Sequence, residues 1–127
     1  MSCIWIVDDD DEMLHAMQLM LSVLDHETVP FLGARLAARS LLDGDSPDLI
    51  ILDINMPEVT GLDLLEFLRR NPGTKELPVV MLSTESSDVM IDRARELGAD
   101  AYVSKPVTVE ELERAIKEAV GKRQQKS

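Results

Sequence analysis

Short, continuous apolar runs alternate with stretches of helical periodicity along the whole chain, and this alternation limits the fold more than any other feature. Residues 3–7, 49–52, 79–82 and 101–103 are runs rich in Val and Ile. Apolar runs of that length suit strands buried on both faces, as in a parallel sheet. Between them, Met13, Met17, Met20 and Leu24 recur at steps of 4, 3 and 4. Leu62, Leu65 and Leu68 step by 3, and Met90, Ala94 and Leu97 by 4 and 3. Val109, Leu112, Ile116 and Val120 step by 3, 4 and 4. Each set marks one face of a helix. Residues 33–42 read as a further helix containing Leu36, Leu41 and Leu42, and residues 27–31 as a weaker strand containing Pro30. The reading is a (βα)5 chain.

The breaks between segments agree with it. Asp45-Ser46-Pro47-Asp48 is a turn ahead of a strand. Asn71-Pro72-Gly73 ends a helix, because proline cannot continue one. Gly98 follows Leu97 at a helix C′ position, and Thr108 with Glu111 forms a capping-box pattern before the last helix. Alternating βα units with right-handed crossovers build a doubly wound parallel sheet, and the common five-strand order is 2-1-3-4-5. That order puts strand 2 at an edge. Pro30 belongs there, since it cannot donate to a ladder. It also puts the topological switch point between strands 1 and 3, and ligands bind beyond the carboxyl ends of the strands at such a point.

The chain has 127 residues, a length suited to one domain, expected over residues 1–121 with a loose polar tail at 122–127. It carries 24 acids against 13 bases, a formal net charge of −11. That balance opposes direct binding of nucleic acid or of an anionic membrane, both of which need a positive surface. No apolar run approaches the ~20 residues of a membrane span. The first residues lack a basic segment followed by a long apolar one, and Cys3 has no internal disulfide partner. A cytoplasmic location is expected. Cys3, Trp5 and the methionines read as core, and His15 and His26 as surface or half-buried residues without metal-ligand spacing.

At the switch point, strand 1 runs into Asp8-Asp9-Asp10-Asp11-Glu12 and strand 3 into Asp53. Asp10, Asp11 and Glu12 suit the first turn of a helix, where acids complement the macrodipole, with Asp10 or Asp11 as N-cap. Asp8 and Asp9 come one step earlier, and the helix does not explain them. Carboxylates gathered in one concave site raise one another's pKa, and a hard divalent cation relieves the repulsion. Mg2+ takes oxygen ligands and commonly keeps waters and a phosphate oxygen, so a Mg2+ site with phosphate as co-ligand is expected. Strand 4 ends in Ser83-Thr84 and strand 5 leads to Lys105-Pro106. Carboxylates, a hydroxyl and an ammonium at neighbouring strand ends suit phosphoryl transfer to a carboxylate, with Mg2+ and Lys105 neutralising charge on the transferring group.

These motifs together resemble the receiver domain of two-component response regulators, the CheY-like fold. The residues that carry the resemblance are Val7-Asp8-Asp9, Asp53-Ile54-Asn55-Met56-Pro57 with Gly61, Ser83-Thr84, and Tyr102-Val103-Ser104-Lys105-Pro106. It covers about residues 3–120. Each motif alone is weak, but their order at the correct strand ends is highly specific. The resemblance implies that Asp53 is the phosphoacceptor, attacking a phosphohistidine of a sensor kinase or phosphotransfer protein. It implies Mg2+ ligation by Asp9 directly, by Asp8 through water, by Asp53, and by the backbone carbonyl of Asn55, whose side chain is then less constrained. Lys105 would bond the phosphoryl group, Ser83 would swing towards it, and Tyr102 would turn inward behind Ser83. The Lys105–Pro106 bond would be cis. The chain departs from the family at Val107, usually Phe, and at Thr84, usually a smaller residue. Asn55 and Glu85 resemble the flanking residues of chemotaxis regulators that lose phosphate quickly.

The expected output is a protein partner bound by the face of helix 4, strand 5 and helix 5, about residues 87–120. The phosphodonor is expected on helix 1, with Leu14 or Leu21 in the docking surface. Whether the receiver acts alone or as the N-terminal part of a transcription factor stays open. Two other classes fit part of the pattern. Asp8-x-Asp10 after a strand resembles haloacid-dehalogenase-type phosphatases, in which Asp8 would be the nucleophile, but Asp11 breaks that motif and there is no room for the usual insertions. A receiver fold that takes no phosphate would be a pure interaction module, against which stands the complete set of key residues.

Overall fold

A computed structural model describes residues 3–56, 59–84 and 87–125. Five parallel strands lie in the order β2-β1-β3-β4-β5, and five helices connect and flank them. The strands are β1 (Cys3–Asp8), β2 (Glu27–Leu32), β3 (Leu49–Asp53), β4 (Val79–Ser83) and β5 (Ala101–Ser104). The helices are α1 (Asp11–Val23), α2 (Ala34–Leu42), α3 (Gly61–Arg70), α4 (Asp88–Glu96) and α5 (Val109–Gln125). The doubly wound α/β architecture expected from the alternation is the observed one. Each strand extends one residue past its apolar run, and on β1, β3 and β4 the added residue is Asp8, Asp53 or Ser83. Ladder bonds belong to the backbone, so a polar side chain does not end the pairing. Asp8 pairs in register with Leu32, and Asp53 with Leu82.

Side-chain alternation along the strands divides the core in two. Trp5, Val7, Ile50, Leu52, Val79 and Met81 face one way, against α2, α3 and α4. Ile4, Ile6, Ile51, Val80, Leu82 and Val103 face the other way, against α1 and α5. The sheet is therefore apolar on both faces, as the continuous runs require. Fully buried side chains of this size stabilise by about 1.5–3 kcal/mol each relative to exposure. Trp5 is in the core beside Phe31, with ring centroids 4.6 Å apart. Pro30 sits opposite Ile6 on the edge strand. His15 is exposed and His26 half-buried, while Cys3 is only partly covered, the edge of the core rather than its interior.

The local signals act as their chemistry predicts. Asp10 is the N-cap of α1, its side chain accepting from the N–H of Glu12. Gly98, at φ +105, closes α4 in a Schellman arrangement: the Ala99 N–H donates to the Ala94 carbonyl and the Gly98 N–H to that of Arg95. Thr108 caps α5 through the Glu111 N–H, but its hydroxyl donates to the Glu111 carboxylate, so the reciprocal half of the box is side chain to side chain.

Two expectations need correction. The buried face of α1 is Leu14, Met17 and Leu21, with Met13, Met20 and Leu24 half-buried beside it. Leu14 and Leu21 are core residues and do not line a docking surface. The large apolar side chains that α1 exposes are Leu19 and Val23, each 71% exposed. The stretch from Lys122 is also not a loose tail as far as Gln125, because α5 continues through it. Lys122 Nζ bonds the Asp100 carbonyl at 2.8 Å, and Arg123 clasps the Asp100 carboxylate at 2.8–3.0 Å. Residues 126 and 127 lie outside the described residues.

Candidate functional site

The carboxyl ends of β1 and β3 are neighbours in the sheet, so the chain path alone sets Asp8 and Asp53 side by side. Both carboxylates are buried, at 1% and 2% exposure. Asp9 follows β1 and is exposed. Oxygens of Asp8, Asp9 and Asp53 lie within 4.8 Å of one another. Backbone donors hold the two buried groups in place. The Asp10 N–H donates to Asp8 Oδ1 at 3.0 Å, and the Asn55 N–H to Asp53 Oδ1 at 3.1 Å.

Lys105 reaches in from the end of β5. Its Nζ lies 3.3 Å from Asp8 Oδ2 and 3.4 Å from Asp53 Oδ1. The Lys105 N–H donates to the Ser83 carbonyl at 2.9 Å, which extends the β4–β5 ladder and aims the residue at the site. The Lys105–Pro106 peptide bond is cis, as the family resemblance implies. One ammonium against two buried carboxylates leaves an uncompensated negative charge. Burial first, and the Asp53 carboxylate second, push the Asp8 carboxyl above the ordinary carboxylate range.

Gly61 fixes how closely α3 approaches this site. A Cβ at that position would collide with the Asp53 carbonyl oxygen and crowd its carbon at 2.8 Å. Only glycine lets the α3 N-terminus sit against the end of β3, where the Gly61 N–H donates to Ile54. Thr60 and Asp63 cap the helix in a complete capping box.

Ser83 is fully buried at the end of β4, and its hydroxyl donates to Asn55 Oδ1 at 2.9 Å. Thr84, the other member of the hydroxyl pair, is exposed. The side chain of Asn55, which the sequence reading leaves less constrained, is therefore tied to the Ser83 hydroxyl. Nothing local signals this bond, because its two partners are 28 residues apart. Tyr102 is half-buried and packs against the core cluster that contains Ala94, on the α3–α4 side of the sheet. Pro57 and Glu85 lie outside the described residues.

The three carboxylates offer hard oxygen donors only. They are close enough to share one ion, and Asp9 faces solvent, where an ion can keep waters. A divalent cation would also relieve the repulsion that raises Asp8. The donor set fits Mg2+.

Comparison with known proteins places this geometry. The response regulator receiver domain model matches residues 4–117. The chain is 32% identical over 117 residues to chemotaxis protein CheY1 of Helicobacter pylori, covering 91% of this chain and 94% of that one. It is 33% identical over 122 residues to the transcriptional regulatory protein KdpE of Mycobacterium tuberculosis, covering 94% of this chain and 51% of KdpE. Two further curated relatives are longer still, and the chain spans 37% and 17% of their length. A putative response regulator from Chloroflexus aurantiacus superposes with a TM-score of 0.88 at 28% identity, covering 94% of this chain and 98% of that one. The strand order, the strand-end residues and the family match over most of the chain lead to one assignment: the chain belongs to the response regulator receiver domain family, a signalling domain of two-component systems.

Proposed function

We propose that the domain accepts a phosphoryl group on Asp53 in a Mg2+-dependent transfer from a phosphohistidine on a sensor kinase or a histidine phosphotransfer protein. The observation that carries this reading is the setting of Asp53. Its carboxylate is buried at a strand end, held by a backbone N–H, faced by an ammonium at 3.4 Å and flanked by Asp8 and Asp9. An oxygen of Asp53 attacks phosphorus, a P–O bond forms, the P–N bond to the donor imidazole breaks, and the imidazole leaves neutral after taking a proton. Lys105, now shared between two carboxylates, would follow the new negative charge onto the phosphoryl oxygens. Asp8, Asp9, Asp53 and the Asn55 carbonyl would hold Mg2+. Bound there, the ion supplies charge neutralisation for the transferring group.

Ser83 and Tyr102 would carry the change outward. Ser83 would donate to a phosphoryl oxygen, and Tyr102 would turn inward behind it, altering the α4–β5–α5 face at about residues 87–120 for a protein partner. The phosphoryl group favours the switched state only through contacts that the resting state lacks. A net charge of −11 opposes direct binding of nucleic acid, so the output partner is a protein. The domain would work in the cytoplasm, where such donors are found. Donor docking falls to the outward face of α1, where Leu19 and its neighbours Ala16 and His15 are exposed.

Incubation with acetyl phosphate and Mg2+ tests the reaction without a donor protein. Intact-mass measurement should show one phosphoryl adduct per chain, absent in Asp53→Asn and on chelation of the metal. An adduct that persists in Asp53→Asn would refute the reading.

A further inference from the structure

The Ser83 hydroxyl is fully buried, and its proton is given to Asn55 Oδ1 at 2.9 Å. A serine hydroxyl has one proton to donate. Oxygens of a phosphoryl group on Asp53 would present acceptors only, so Ser83 can reach them only by releasing Asn55. The same Asn55 donates its backbone N–H to Asp53 Oδ1 at 3.1 Å, which keeps its carboxamide beside the acceptor residue. One exposed side chain thus occupies the proton that the switch requires. We propose that Asn55 is a latch: its carboxamide holds Ser83 in the resting arrangement and competes with the phosphoryl group for the Ser83 proton. Asn55 is a positioning residue here, acting on the equilibrium through Ser83. The inference rests on the phosphoacceptor reading of Asp53.

The latch predicts non-additivity. A net hydrogen bond shifts an equilibrium by about 2- to 10-fold. Beryllofluoride, a phosphoryl mimic, is titrated into the full chain with Mg2+ and followed by fluorine NMR of the bound anion, in the parent, Asn55→Ala, Ser83→Ala and the double variant. Asn55→Ala should lower the half-saturating concentration by about 2- to 10-fold when Ser83 is present, and leave it unchanged in the Ser83→Ala background. Any direct effect of losing the carboxamide would appear equally in both backgrounds. An equal effect in both, or no gain when Ser83 is present, overturns the latch while leaving Asp53 as acceptor. Beryllofluoride binding that survives Asp53→Asn overturns the acceptor reading, and the latch with it.

Discussion

Asp8 shows how burial and charge act on a single side chain. Its carboxyl binds a proton more tightly folded than unfolded, because burial and then Asp53 disfavour the anion. A raised carboxyl contributes stability that is fully present below the unfolded pKa, about 3.9, and is lost as pH rises through the folded value. At neutral pH the ionised group therefore costs stability. Asp8→Asn should melt at a higher temperature than the parent at pH 7, and the difference should shrink on acidification towards pH 4. Added Mg2+ should stabilise the parent and have much less effect on the variant. Thermal melts over a pH series with and without Mg2+ check both statements; a gain that grows on acidification would contradict them. Gly61, by contrast, has no substitute. The methyl of Gly61→Ala would strike the Asp53 carbonyl, so the variant should lose about 1–3 kcal/mol in urea unfolding and label more slowly with acetyl phosphate.

The elements show what a sequence can and cannot reveal. Strand runs, the Pro30 edge and the Gly98 stop are legible, because each depends on residues near in sequence, and the α1 cap is legible to within Asp10 or Asp11. The buried face of α1 is less so. Its apolar residues cover more than one stripe, so periodicity alone could not choose between the methionine row and Leu14–Met17–Leu21. Leu21→Arg should unfold the domain, whereas Leu19→Arg should leave acetyl phosphate labelling intact and slow phosphotransfer from a protein donor. Unchanged transfer in Leu19→Arg would remove that part of α1 from the docking surface. The end of α5 was hidden for a different reason: its anchor is tertiary. Arg69 and Arg123 both converge on buried Asp100, which also accepts from the Val79 N–H. Burial, and then the Arg123 charge, lower Arg69 to about 10, so its guanidinium stays charged at neutral pH. Asp100→Ala would leave two half-buried cations without the carboxylate they share and should destabilise the domain by about 3–5 kcal/mol in denaturant unfolding. The side-chain bond of Asn55 is not legible on the same principle, since its partner Ser83 lies at the end of β4, 28 residues away.

For the whole molecule, the net charge of −11 matters less than its arrangement. Three carboxylates from two neighbouring strand ends meet one lysine from a third, and the sheet topology makes that convergence unavoidable. The core on both faces holds these strand ends in place, so a phosphoryl group on Asp53 would act on a preorganised site. Moving a two-state domain from 1:99 to 99:1 takes about 5.5 kcal/mol. A hydrogen bond from Ser83 to a charged group contributes about 1.5–3 kcal/mol, so Lys105 and backbone donors must supply the rest. Ser83→Ala should accordingly weaken phosphorylation-dependent partner binding without abolishing it. We assign the phosphoryl group to Asp53 and to no other carboxylate of the cluster. Borohydride reduction of the acetyl phosphate-treated, Mg2+-loaded protein converts an acyl phosphate into homoserine, and peptide mass spectrometry locates it. Homoserine is expected at position 53 alone; homoserine at position 8 or 9, or at none of the three, would rule out Asp53 as the acceptor.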